Sequence, residues 1–318
     1  MSWFQRLLLV TIVATFVLVV IGGTVRATGS GLGCPDWPTC HGRLIPENNK
    51  QTIIEYTHRT AAFVVGMLFL GVTYFTFKSE RKRPLVFWLA FTAGVLLLVQ
   101  IILGGVTVKK ELPSGIVATH LGTAMSFIGV MIVTATISLM GTRGVAAVRS
   151  SLGTAFTRMA MLGAGLSFVT LVVGSYISNT DAALACDGWP LCNGSVLPGG
   201  SSAVGLHFLH RLLAGALGIV LLALLYLAFD ERRRQPLLLA LAVLAAVAYV
   251  AQALIGAANL WTDLAAGVIV AHLSVASLLW CVTVLMSALA FYLPGDAAGG
   301  RPSEERVPEK KEATQWAR

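Results

Sequence analysis

The chain has 318 residues, of which 56% are hydrophobic and 12% are charged. A soluble domain carries about 25% charged residues, so this chain cannot cover itself with a polar surface, and a soluble globular protein of this size is excluded. The formal net charge of +8 is divided among short loops. That division excludes nucleic acid as a partner and points to membrane topology and contact with anionic lipid.

The charged residues are clumped. Most runs between them reach the ~20 apolar residues that cross a hydrocarbon core as a helix. Spans are predicted at 6–26, 56–77, 84–107, 116–140, 155–176, 205–229, 236–258 and 265–293. The first is too long for a signal-peptide core, and no small-residue cleavage pattern follows it. Segment 188–204 is rich in Gly, Pro, Ser and Asn and reads as loop. Arg6, the set Lys78, Arg81, Lys82 and Arg83, the set Arg143, Arg149 and Arg158, Arg232 to Arg234 and the tail cations fall on one side. Arg26, Arg43, Lys50, Arg59, Lys109, Lys110 and Arg211 fall on the other. The positive-inside rule then places both termini in the cytoplasm, in a multi-pass protein of a bacterial plasma membrane. The tail 294–318 is charged, lacks an apolar period and reads as a disordered cytoplasmic tail.

An internal repeat runs through the chain. Cys34-Pro-Asp-Trp-Pro-Thr-Cys40-His-Gly returns as Cys186-Asp-Gly-Trp-Pro-Leu-Cys192-Asn-Gly, at an offset of 152. The same offset pairs Arg6 with Arg158, Gly22 with Gly174, Pro46 with Pro198 and His58-Arg59 with His210-Arg211. It also pairs Pro84 with Pro236, Gln100 with Gln252, Gly104 with Gly256, Gly115 with Gly267 and His120 with His272. Each unit holds four spans, an even number, so both halves enter the membrane in the same sense. That is a parallel repeat, with its axis along the membrane normal. The expected fold is an all-α integral membrane protein, with eight transmembrane helices in two tandem four-helix bundles related by a pseudo-twofold axis. The bundles are residues 1–142 and 143–293, and sites in their cores should lie at matching depth.

Four of the six histidines belong to the repeat: His58 and His120 in the first half, His210 and His272 in the second. All lie near the outer ends of their spans. An ionisable residue within a span is costly and marks function. Two imidazoles on facing helices can clamp a haem iron from both sides. Haem is a flat apolar disc with two carboxylates at one edge, and Arg59 and Arg211 follow their histidines where propionates want a cation. The reading is four axial ligands, two per half, with both macrocycles toward the outer leaflet. Four interhelical hydrogen-bonding histidines are the blander reading, weakened by the duplication. Zinc is weaker, because two histidines fall short of four ligands and Glu55 is available in the first half only. His41, whose repeat mate is Asn193, reads as a solvated loop residue. His207 competes with His210 as a ligand, and the shared His-Arg pair favours His210.

Glu55 precedes His58 by three residues, which places both on one helical face about 4.5 Å of rise apart. Its repeat mate is His207, so the acid exists in the first half alone. A duplicated scaffold that differs at one ionisable position suggests divided labour: chemistry beside Glu55 in one half, a haem as electron carrier in the other. A carboxylate there can act in proton transfer. It can equally be an interfacial salt bridge to Arg59 or Lys50, and the sequence leaves both open. The pairs Cys34/Cys40 and Cys186/Cys192 lie in outer loops, on the oxidising side, and are expected to form two intraloop disulfides. Zinc is the weaker alternative at this spacing, and a redox-active role for Cys34 and Cys40 stays open. Cys281, in the last span, reads as an inert buried thiol.

These residues resemble the haem A synthase family, most of all the bacterial type with paired loop cysteines. The resemblance rests on eight spans, the duplicated Cys loop and Gly-Gly-x-Val-Arg-x-Thr-Gly-Ser-Gly at 22–31. It also rests on Glu55-Tyr-Thr-His58-Arg59 and the histidines of spans 4, 6 and 8, and it covers about residues 1–293. It implies an oxidoreductase that converts the C8 methyl of haem O to the formyl of haem A for cytochrome oxidase, with oxygen from water. It implies that His58 and His120 hold haem O, that His210 and His272 hold a haem b cofactor, that Glu55 is catalytic, and that each loop pair is a disulfide. A haem O synthase is the implied partner that delivers substrate. The electron acceptor is open, and a homo-oligomer is compatible. The rival is a bis-histidine di-haem electron-transfer cytochrome b with no catalysis on haem. A transporter with parallel repeats would place its polar residues at the midplane instead.

Overall fold

The computed structural model describes residues 1–43, 48–140, 155–230 and 235–292. Pro46, the cations Arg143, Arg149 and Arg232 to Arg234, the junction between 142 and 143, and the tail 294–318 lie outside the described residues. The described chain is helical: α1 Trp3–Ala27, α2 Lys50–Phe75 with a π-helical turn Thr76–Glu80, α3 Pro84–Lys109 and α4 Ser114–Met140. After these come α5 Ala155–Ile177, a 3-10 turn Asp181–Leu184, α6 Ser202–Asp230, α7 Pro236–Trp261 and α8 Ala266–Tyr292. All eight α-helices are long and apolar enough to cross a membrane. In hydrocarbon every backbone N–H and C=O must be satisfied within its own segment, and a helix does this.

The ends follow local chemistry. Ser2 and Gln5 form a reciprocal capping box on α1, and Pro84 and Pro236 open α3 and α7, where a missing N–H costs nothing. Observed bounds sit within a few residues of the expected ones except at α2, expected from 56 and found from Lys50. Asn49 caps it by accepting the Gln51 N–H at 3.0 Å. The added turn is polar, so hydropathy did not mark it. Its consequence is that Glu55 lies inside the helix, past the first turn.

The helices α1, α4, α5 and α8 form the middle of the molecule: α1 touches α4 and α8, α4 touches α5 and α8, and α5 touches α8. Outside them, α2 packs on α1, α3 on α4, α6 on α5 and α7 on α8. Helices α6 and α7 also meet, and α2 meets α3 partly through its π-helical turn. One apolar cluster (Phe4, Leu8, Phe69, Phe127, Met131) joins α1 to α4. A second (Leu217, Leu224, Leu241, Met286) joins α5 to α8. A third (Val19, Met125, Ile128, Leu171, Val284) ties α1, α4, α5 and α8 together. The outer helices expose large apolar side chains, such as Phe63 at 68% and Ile219 at 71%. A surface of that kind faces lipid.

Trp280 of α8 locks this central seam. Its indole N–H donates to the Met125 carbonyl at 3.1 Å, and its ring sits 5.2 Å from that of Phe168, centroid to centroid. A Cβ on Gly129 would stand 3.2 Å from it. Trp280→Ala is expected to destabilise the detergent-solubilised protein by about 3 kcal/mol, as for other large aromatic truncations. Trp280→Phe, which loses mainly the hydrogen bond, should cost about 1 kcal/mol. Thermal unfolding monitored by circular dichroism checks the order, and equal effects from both would refute the packing account.

Candidate functional site

The repeat is visible as geometry in two outer loops. Disulfides Cys34–Cys40 and Cys186–Cys192 close them, each with Cα atoms 4.7 Å apart. Both loops carry a cis Trp-Pro bond, at Trp37-Pro38 and Trp189-Pro190. Both place a left-handed residue after the second cysteine, His41 at φ 54° and Asn193 at φ 53°, followed by a left-handed glycine. Their internal wiring differs. In the first loop Asp36 accepts the Gly42 N–H at 2.8 Å, the His41 N–H at 2.5 Å and the Thr39 hydroxyl. The Thr39 hydroxyl, with the Gly42 amide behind it, holds the Asp36 carboxyl well below the usual carboxylate range. In the second loop Asn193 does the equivalent work, accepting the Asp187 N–H at 2.7 Å. His41 is exposed, as expected of a solvated loop residue, and its Nε2 meets the Gly33 carbonyl at 3.0 Å.

An arginine ties each loop to the helix beneath it. Arg59 Nη1 donates to the carbonyls of Asp36 (2.7 Å) and Thr39 (2.6 Å), and Nη2 donates to that of Cys34 (2.7 Å). Arg211 repeats this at the same offset, donating to Leu191 and Gly188 at 2.9 Å and to Cys186 at 3.3 Å. Both arginines therefore hold loop carbonyls in this structure. In the first half a carboxylate joins them. Glu55, 3% exposed, accepts from Arg59 Nη2 at 2.6 Å and from the Cys34 N–H at 2.8 Å. Of the two salt-bridge partners considered for Glu55, Arg59 is the one the fold supplies. Its repeat mate His207 is also buried but turns elsewhere, with Nδ1 2.8 Å from the Ala182 carbonyl in the 3-10 turn.

The four repeat histidines each lie against a glycine of the neighbouring helix. A Cβ at Gly22 on α1 would stand 3.2 Å from His58 Nε2, and one at Gly104 on α3 would stand 3.3 Å from His120 Cε1. The corresponding distances are 2.8 Å from Gly174 to His210 and 3.0 Å from Gly256 to His272. A larger residue at Gly174 would force the His210 ring to shift, and at the other three positions it would crowd the ring. Within each half the two imidazoles are near enough to interact electrostatically. Gln100 Nε2 lies 3.2 Å from His120 Nε2, and Gln252 Nε2 lies 3.2 Å from His272 Nε2. The Nδ1 atoms of His120, His210 and His272 and the Oε1 atoms of both glutamines are buried without hydrogen-bond partners among the described residues. Buried polar atoms are almost always paired, so these mark a polar site that the chain alone does not complete. Among the described residues no three of His, Cys, Asp or Glu gather as a metal-ion set. Each histidine pair therefore offers two protein ligands. Cys281 is a free, partly buried thiol.

The family model for COX15-CtaA, described as cytochrome oxidase assembly protein, matches residues 5–284. The chain belongs to this family. It is 30% identical over 285 residues to the protein named Heme A synthase of Alkalihalophilus pseudofirmus, covering 89% of this chain and 93% of that one. It is 31% identical over 262 residues to the Heme A synthase of Shouchella clausii, covering 81% and 87%. With that of Geobacillus kaustophilus it shares 28% over 294 residues, 91% of each chain.

Several residues of this COX15-CtaA site had no role assigned from sequence. The two glutamines and four glycines were visible as repeat mates, and the shared offset was the signal. Gly33 and Asp36 gave none, because their mates are Ala185 and Gly188. Gly33 packs the first loop directly onto α2: a Cβ there would lie 2.6 Å from the Gln51 backbone, and its carbonyl accepts from the Thr52 hydroxyl at 2.9 Å.

Gly33→Ala should therefore undock the first loop at a cost of about 1–3 kcal/mol, as overpacking does. Faster hydrogen exchange at the Cys34 amide would show it, and unchanged exchange would contradict it. Asp36 gives a pH prediction. Its folded pKa lies below the ordinary 3.8, so its contribution is complete above that value and is lost only as pH falls further. In Asp36→Asn the acid-induced loosening of the loop should disappear from an exchange profile recorded against pH.

Proposed function

We propose that the chain is a haem A synthase, an oxidoreductase that converts haem O to haem A for cytochrome oxidase. Family membership supports the class. The observation that carries the site assignment is Glu55, a buried acid one turn from His58 with no acid at its repeat position, in an otherwise doubled scaffold of histidine, glutamine and glycine. His58 and His120 hold the substrate haem O, and His210 and His272 hold a haem b cofactor. The residues fit such groups: paired imidazoles, glycine clearances beside each ring, orphaned ring nitrogens and no competing thiolate once the loop cysteines are paired. Haem b, when bound, supplies one-electron transfer.

Converting the C8 methyl to a formyl with water as the oxygen source releases protons and electrons in equal number. Glu55 is the group that takes the protons. The bonds it accepts from Arg59 and the Cys34 N–H do not exhaust the lone pairs of its oxygens. Arg59 keeps Glu55 turned toward the loop, and the disulfide loop shields it from bulk water. The N–H groups of Arg59 and Arg211 already hold loop carbonyls, so toward haem propionates they would act through charge, which in Arg59 is offset by Glu55. The two halves, 1–142 and 143–293, are four-helix bundles related by a pseudo-twofold axis along the membrane normal. Both termini lie in the cytoplasm of a bacterial plasma membrane. A haem O synthase is the partner that would deliver substrate to the first half.

Glu55→Gln keeps the shape of the side chain and removes the base. In a host supplied with haem O, extracted haem A should fall by about 100-fold or more, the range of a lost general base. The purified variant should keep its low-spin haem spectrum, while His210→Ala should lose the haem b signal. Normal haem A accumulation in Glu55→Gln would leave the bis-histidine electron carrier as the better reading.

A further inference from the structure

We propose that Gln100 and Gln252 are stand-in ligands: each amide occupies the iron-facing nitrogen of its histidine, and haem must displace it to be bound from that side. This rests on the bis-histidine reading above and makes His120 and His272 the exchangeable partner in each pair.

An amide nitrogen only donates, so at 3.2 Å the Nε2 of His120, and likewise of His272, receives the hydrogen bond in its lone pair. The ring proton then sits on Nδ1. That is the tautomer whose Nε2 can ligate iron, and the glutamine keeps the ring in it. The glutamine and the glycine contacting the ring lie four residues apart on one helix, Gln100 with Gly104 on α3 and Gln252 with Gly256 on α7. They share a face, and the imidazole is held against both.

The pair is nevertheless unfinished. Gln100 Oε1, Gln252 Oε1, His120 Nδ1 and His272 Nδ1 are all buried without hydrogen-bond partners among the described residues. A purely structural bond would be expected to satisfy both sides, as the Arg59 network does. Among the described residues no side chain bonds His58 or His210, whereas a glutamine amide holds each histidine on α4 and α8. Iron would ligate His58 or His210 first, then take the second histidine from its glutamine. In the first half the reverse exchange helps product leave. In the second it holds His272 ready until the cofactor arrives.

The experiment follows haem transfer from the purified full-length protein to apomyoglobin. Wild type is compared with Gln100→Met and Gln252→Met, which keep the volume and remove the donor. Each variant should retain the low-spin bis-histidine spectrum and show one phase of transfer slowed about fivefold, the factor of one net hydrogen bond. Gln100→Asn and Gln252→Asn, too short to reach the ring, should behave alike. Transfer that is unchanged or faster, or loss of the low-spin spectrum in both the Met and Asn variants, would overturn the stand-in role. A wild-type protein without a bis-histidine spectrum would instead defeat the underlying haem reading.

Discussion

An imidazole inside a lipid-spanning protein needs room beside a helix backbone and partners for two nitrogens, and the rest of this structure follows from meeting the first need. Gly22, Gly104, Gly174 and Gly256 provide it, with hypothetical Cβ atoms only 2.8–3.3 Å from the rings. Because the glycines lie on α1, α3, α5 and α7 and the rings on α2, α4, α6 and α8, the same contact joins each consecutive helix pair. Helix association in lipid gains little from apolar burial and depends on close approach at small residues. The histidine sites and the helix packing are thus one set of contacts, and a substitution at these glycines would disturb both.

The second need is met incompletely, and the incompleteness is itself duplicated. Two arginines bind their loops through carbonyls at the same relative positions, and two glutamines bind their histidines at the same distance. The halves part at one place, the junction of the first loop with α2. There Glu55 replaces a histidine, Gly33 replaces an alanine and Asp36 replaces a glycine. Gly33 lets the loop sit against the Gln51 backbone, which brings the Cys34 amide to Glu55. Asp36 stiffens the turn whose carbonyls Arg59 holds. These substitutions serve the burial of one carboxylate.

Much of this was legible in the sequence, because a fixed offset acts like a second copy of the experiment. The offset exposed the four histidines, both loop disulfides and the isolation of Glu55. It did not show that α1, α4, α5 and α8 would sit in the middle. In lipid the outward face of a helix is as apolar as its packed face, so periodicity does not announce which side is buried. The start of α2 escaped for the opposite reason: its first turn is polar and held by an Asn49 cap. Gln100 was seen as a repeat mate, but only the spatial neighbour His120 gives it a role.

The charge balance of the two halves fits the proposed division of labour. In the first half the Arg59 cation is neutralised by Glu55 at 2.6 Å. In the second, His207 stands in the position of the acid and bonds a carbonyl, and among the described residues Arg211 has carbonyl partners alone. Charges near a low-dielectric region interact far more strongly than in water. On the haem reading, the second half therefore presents an uncompensated cation to an anionic propionate edge, while the first presents a neutral pair. That difference would suit a cofactor that stays and a substrate that must leave, and it traces to one replacement, glutamate for histidine.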